Sequence, residues 1–178
     1  MMLVPSQYAG PVAVPIRPLV YRFGPTRGHW FTPHLLTDAS GLLTDHQADG
    51  LSGISGLKTV GLLQRLARLF AGERDACYLE IGVFQGLTLV STALEAPELP
   101  CFGIDNFATL DPEGENQTIV RERLDRFGAV NAALIDADFE EALEGLDAHL
   151  NGRKVCVYFV DGPHDYRSQM VCLLAGLR

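Results

Sequence analysis

Positive charge is scarce in this chain: fourteen Lys and Arg stand against twenty-two Asp and Glu, leaving a net charge of -8. That balance disfavours a protein whose affinity rests on neutralising the phosphates of nucleic acid. Only four cysteines occur, Cys77, Cys101, Cys156 and Cys172, with no Cys-x-x-Cys pair and no histidine at zinc-like spacing. A metal knuckle or a disulfide framework therefore lacks support, and the thiols read as reduced and mostly buried in a cytosolic protein. No apolar stretch is long enough to span a bilayer, so no membrane association is expected. The first residues lack a basic start, and Pro5, Pro11 and Pro15 would break the helix of a secretory signal. A soluble, cytoplasmic protein is the expectation.

What is present fits one globular unit: 178 residues, 47% apolar and 20% charged, suffice for one sizeable core. Charge and proline are unevenly placed. Arg17, Arg22 and Arg27 are the only ionised side chains before Asp38, so residues 1–37 carry +3 and the remainder -11. Six of the ten prolines fall within residues 1–33, which predicts an extended arm over residues 1–40. A helical segment is expected over residues 41–75. Thr44 and Gln47 have capping-box spacing, and Leu57, Val60, Leu63, Leu66, Leu69 and Phe70 form a helical stripe that stops near Gly72.

From Ala76 the pattern alternates between apolar strand and helix four times. CYLEIG precedes LTLVSTALEA, CFGIDNF precedes NQTIVRERLDRFG, AALIDAD precedes FEEALEGLDAHLNG, and VCVYFVDG precedes HDYRSQMVCLLAGLR. Such alternation indicates an α/β fold with a mainly parallel sheet over residues 76–178. Val155 to Val160 is apolar on both faces, as a strand covered by helices on each side must be. The fourth strand would then lie at a sheet edge, an arrangement that invites aggregation. Either the natural chain continues past Arg178 or a partner chain, such as a second copy in a homo-oligomer, covers that edge.

Ligands of open parallel sheets bind beyond the carboxyl ends of the strands, where the strand order reverses. Each of the four strands ends in an acid. The first runs into Glu80-Ile81-Gly82-Val83-Phe84-Gln85-Gly86, where Gly82 permits close backbone approach to a ligand and Gly86 a sharp turn at the helix start. An acid two residues before the first glycine suits a ligand with an ammonium group. Asp105 follows twenty-five residues after Glu80 and can accept hydrogen bonds from both hydroxyls of a ribose. A nicotinamide-dinucleotide site wants Gly-x-Gly-x-x-Gly, and here Phe84 crowds the place of the second glycine.

Glu-x-Gly-x-x-x-Gly after the first strand, Asp105 after the second, Asp138 after the third and Val160-Asp161-Gly162-Pro163-His164-Asp165-Tyr166 after the fourth resemble class I S-adenosylmethionine-dependent methyltransferases. The last motif is similar to the Val-Asp-Gly-x-His-x-Tyr signature of the subgroup that includes antibiotic-sugar O-methyltransferases. The resemblance covers roughly residues 76–178 and implies a Rossmann-like sheet lacking that fold's C-terminal strands. It also implies S-adenosylmethionine as cofactor and a small-molecule or sugar hydroxyl as acceptor. Residue by residue, Glu80 would contact the methionine ammonium, often through water, and Gly82 and Gly86 would shape the loop beside the methionine. Asp105, with Asn106 next to it, would hold the ribose hydroxyls, and Asp138 with Phe139 would border the adenine. Asp161 would sit near the transferred methyl, where relatives that use magnesium place a ligand, and His164 is the candidate base. One carboxylate does not make a magnesium site. A non-catalytic nucleotide-binding or assembly module of the same fold, and a nicotinamide oxidoreductase, are the competing functions.

Plainer roles compete at several positions. Asp138 could be only a helix cap before Phe139, and Asp161 and His164 could cap and orient the last helix. Asn116 in Asn116-Gln117-Thr118 reads as a helix cap rather than a glycosylation site. Arg121, Arg123 and Arg126 interleave with Glu122 and Asp125, which predicts a solvated helix face. His29, His34 and His46 lie in or near the arm, and His149 ends a helix where a cation is favoured.

Overall fold

The computed structural model describes residues 50–176. The arm, the Thr44–Gln47 capping box and His29, His34 and His46 lie outside the described residues. Within them the order is α1 (Leu57–Phe70), β1 (Ala76–Ile81), α2 (Leu87–Glu95), β2 (Cys101–Asp105), α3 (Asn116–Phe127), β3 (Ala132–Asp136), α4 (Phe139–Glu144), α5 (Leu146–His149), β4 (Lys154–Val160) and α6 (Tyr166–Ala175). The four strands form one sheet in the order β3-β2-β1-β4, every pair parallel.

Strand periodicity explains the two cores. Tyr78 and Glu80 of β1 point to one face, where Val60, Leu63 and Ala67 of α1, Leu89, Val90 and Ala93 of α2 and Val120 of α3 close over the sheet. Cys77, Leu79 and Ile81 point to the other, against Ala142 of α4, Leu150 and Cys172 of α6. Val157 and Phe159 of β4 serve the first core and Tyr158 the second, so the strand is apolar on both faces, as its sequence requires. All four cysteines are free and buried, and burial pushes the Cys77 thiol up to about 12 and the Cys156 thiol to about 11. They behave as core hydrophobes rather than as nucleophiles.

Three details depart from the sequence reading. Leu69, expected in the buried stripe of α1, is exposed, because at about 100° per residue it sits about 120° round the helix from Leu63. The run after β3 is two short helices rather than one, divided at Gly145. Asn116 is the first residue inside α3 and not its cap: the carboxylate of Asp111 accepts from the amides of Glu115 and Asn116 and does the capping. Among the described residues β4 pairs only with β1, so its outer edge is a sheet edge as expected.

The chain steps outward from β1 through β2 to β3, then returns to the other side of β1 for β4. The strand order therefore reverses between β1 and β4, and the crevice that reversal opens lies at their carboxyl ends.

Candidate functional site

The turn after β1 is built from left-handed backbone. Gly82, Phe84 and Gly86 have φ of +90°, +53° and +83°, a sequence of conformations that only glycine adopts without cost. At Gly82 a Cβ would lie 2.5 Å from the Asp161 carbonyl oxygen and 2.6 Å from the Gly162 nitrogen. The missing side chain thus lets the ends of β1 and β4 converge, and the Asp161 amide donates to the Ile81 carbonyl at 2.8 Å. Gly86 precedes α2, and its left-handed φ turns the chain into that helix.

Asp105 ends β2 and holds this turn. One carboxylate oxygen accepts from the amides of Val83 and Phe84 at 2.8 and 2.9 Å, and the other from Phe107 at 2.8 Å. A carboxylate has about four lone-pair positions, so three contacts leave one for a ligand donor. Asn106 follows; its side chain takes the Ala108 amide and reaches Asp138 at 3.4 Å. Asp138 is exposed and caps α4 by accepting from the Glu140 amide at 2.9 Å. Phe139 packs into the second core beside Ala142.

Glu80 is fully buried one residue before the end of β1, accepting from the Tyr78 hydroxyl at 2.5 Å and the Thr88 hydroxyl at 2.6 Å. Burial pushes its carboxyl up to about 8, against the pull of those two hydrogen bonds, and repulsion from Asp161 and Asp105 adds to the rise. Tyr78 is driven upward by burial and by Glu80. The acids that end three neighbouring strands therefore feel one another: Asp105 and Asp161 lie close enough to the end of β1 to help hold a proton on buried Glu80.

At the mouth, Asp161 is exposed as a residue, yet its carboxyl rests against protein that partly desolvates it and raises its affinity for a proton. His164 and the Ser55 hydroxyl oppose that rise, which places both beside it. Neither Asp161 nor His164 caps the last helix. That role belongs to Asp165, whose carboxylate accepts from the Ser168 amide at 3.0 Å. His164 stands exposed.

The site thus brings together Glu80, Gly82, Gly86, Asp105, Asp161 and His164, and links Asn106 to Asp138 nearby. Tyr78, Thr88 and Ser55 escaped the sequence reading. Tyr78 carried a signal, since it lies two residues before Glu80 on the same strand face; Thr88 and Ser55 carried none. Arg123 is also unlike its expectation. It is half-buried rather than solvated, and its pKa is lowered by burial and by the nearby Arg126. Among the described residues no group of three or more His, Cys, Asp or Glu side chains is placed to hold a metal ion, so the magnesium expectation at Asp161 finds no donor set there. Among them, too, no helix is long and apolar enough to cross a membrane.

The donor chemistry suits a cationic ligand at the β1–β4 crevice: a buried carboxylate, two further acids and a left-handed turn at a helix start. Comparison with known proteins gives the family and the fold. The family described as "Methyltransferase domain" matches residues 79–178, from inside β1 to the last residue. Among solved structures, the crystal structure of CalS11, a calicheamicin methyltransferase, superposes with a TM-score of 0.54 at 16% identity. It covers 88% of this chain and 79% of its own. No curated protein matches this chain.

Proposed function

The chain belongs to the methyltransferase-domain family and is a class I S-adenosylmethionine-dependent methyltransferase; we propose that it methylates a hydroxyl oxygen of a small molecule, with sugars as one acceptor class. The observation that carries this reading is the convergence of Glu80, Asp105 and Asp161 at the reversal of strand order. Two acids at the strand ends, with a third buried behind them that can ionise when a cation arrives, favour a ligand bearing positive charge, and an ammonium and a sulfonium both qualify.

S-adenosylmethionine, when bound, supplies a methyl group activated by attachment to a positively charged sulfur. The rest falls to this chain's own residues. Glu80, buried behind Thr88 and Tyr78, releases its proton as the ammonium of the methionine part approaches and then balances that charge, with water able to bridge the distance. Asp105 keeps one acceptor position for a ribose hydroxyl while its other contacts hold the turn. Asn106 stands beside it, and Asp138 with Phe139 bounds the adenine end at β3.

An in-line displacement needs alignment and exclusion of water, plus a base when the acceptor is a hydroxyl. His164, exposed beside Asp161, takes the hydroxyl proton, and Asp161 favours the imidazolium that results. The likeness to a calicheamicin methyltransferase supports a small organic acceptor over a macromolecule.

The test pairs binding with turnover. His164→Gln should bind S-adenosylhomocysteine as the unaltered chain does, while kcat for methyl transfer to a hydroxyl acceptor falls by about 10² to 10⁴. An unaltered chain that does not bind S-adenosylhomocysteine sinks the reading. A His164→Gln variant with full turnover removes His164 as the base.

A further inference from the structure

We infer that Arg123 is a positioning residue for the donor turn: from α3 it clamps the Val83–Gly86 turn and the Ser52–Ser55 segment into one rigid wall of the crevice. The inference rests on the reading of this crevice as the S-adenosylmethionine site. The Arg123 guanidinium donates to the Gln85 carbonyl at 2.6 Å, to the Ser52 carbonyl at 2.6 Å and to the Ser52 hydroxyl at 3.1 Å. These partners lie 38 and 71 residues away in the chain, so a single side chain joins three separate segments.

A second contact from the same helix reinforces the first. The buried Asn116 carboxamide accepts from Gln85 at 2.9 Å and donates to the Leu110 carbonyl at 3.0 Å. Gln85 is thereby held through its side chain by one residue of α3 and through its carbonyl by another. The turn has three left-handed residues in five, Gly82, Phe84 and Gly86, and one of them is not glycine. Such backbone persists where its surroundings over-determine it. Asp105 fixes the first half of the turn through Val83 and Phe84, and Arg123 with Asn116 fixes the second half through Gln85.

The clamp also reaches the acceptor side. Ser52 is three residues from Ser55, whose hydroxyl acts on Asp161. Gly53 is packed so closely on α2 that a Cβ there would lie 2.7 Å from the Leu87 Cβ. Arg123 therefore anchors one end of a short strap that crosses the start of α2 and ends beside Asp161.

Calorimetric titration of the full chain with S-adenosylhomocysteine tests this. Arg123→Met should weaken binding about tenfold, since three charge-assisted contacts, one to the turn and two to the strap, are lost. Arg123→Lys should fall between Met and the unaltered chain, because one ammonium can replace Nη1, which donates to both carbonyls, but not the separate Nη2 contact to the Ser52 hydroxyl. Arg68→Met provides the comparison: Arg68 pairs with Glu95 at 2.7 Å, away from the crevice, and its loss should lower the thermal midpoint without changing affinity. If Arg123→Met does not fold, Arg123→Lys decides alone. Unaltered affinity in either folded Arg123 variant overturns the inference, as does an equal loss of affinity in Arg68→Met. An unaltered chain that fails to bind S-adenosylhomocysteine overturns both this inference and the functional reading beneath it, whereas binding by the unaltered chain and both Arg123 variants alike overturns the clamp only.

Discussion

Glu80 makes the stability of this protein depend on pH in a predictable direction. In the unfolded chain it titrates near its ordinary value of 4.5, whereas in the folded protein burial raises it to about 8. Between those values the folded state keeps a proton on Glu80 that the unfolded state has released, so stability falls as pH rises. The contribution is fully present below about pH 4.5 and is lost as pH climbs through about 8. Its slope inside the window is about 1.4 kcal/mol per pH unit, which over two units amounts to about 2 to 3 kcal/mol.

Glu80→Gln isolates this effect. A carboxamide cannot ionise, and its oxygen can still accept from Tyr78 or Thr88 while its amide donates to the other hydroxyl. Urea unfolding of both proteins at pH 5.5, 6.5 and 7.5, with the two curves subtracted, cancels every other titrating group. The Gln variant should gain on the unaltered chain by about 2 to 3 kcal/mol from pH 5.5 to 7.5. A difference that stays constant across the window would refute the reasoning, because it would mean that Glu80 is ionised inside the folded protein at all these pH values.

Two further outcomes follow from the turn and the caps. Gly82→Ala places a Cβ 2.5 Å from the Asp161 carbonyl oxygen at φ +90° and should cost about 1 to 3 kcal/mol by calorimetry, whereas Gly114→Ala, at φ +70° with nothing within 4 Å, should cost about 1 kcal/mol from backbone strain alone. Equal costs at the two positions would show that the β1–β4 approach is not tight. Asp138→Ala should lose about 1 kcal/mol in denaturant unfolding while Asp138→Asn keeps it, and a stable Ala variant would deny Asp138 its role as cap.

How much of this was legible in the sequence depended on whether the cause was local. Strand-helix alternation and the acids at strand ends are periodic, short-range signals, and they led to the parallel sheet and to Glu80, Asp105 and Asp161. The helix stripe of α1 was legible only to within one residue per turn, which is why Leu69 was misplaced and Val60, Leu63 and Leu66 were not. Arg123 was illegible for a different reason. Its alternation with Glu122 and Asp125 is the pattern of a solvated face, and nothing within the helix announces a carbonyl 71 residues earlier. Asn116 was correctly placed at a helix start but given the wrong duty, because the capping acid, Asp111, stands five residues before it across a loop.

The acids at the strand ends have two roles with one physical cause. Where parallel strands stop, the turns that follow leave amide hydrogens without ladder partners, and a carboxylate satisfies several of them at once. Asp105 does this for Val83, Phe84 and Phe107, and Asp138 and Asp165 do it at the starts of α4 and α6. Glu80 differs, since its partners are two hydroxyls and no backbone amide, and its burial makes its charge costly. An acid that serves only the turn gains nothing from being buried beside two others. A cation entering the crevice supplies what Glu80 lacks, and its binding should draw the Glu80 pKa down and release a proton. The expense of burying this carboxyl is therefore intelligible as preorganisation for a positively charged ligand, while Asp105 would be needed in the fold even if no ligand were ever bound.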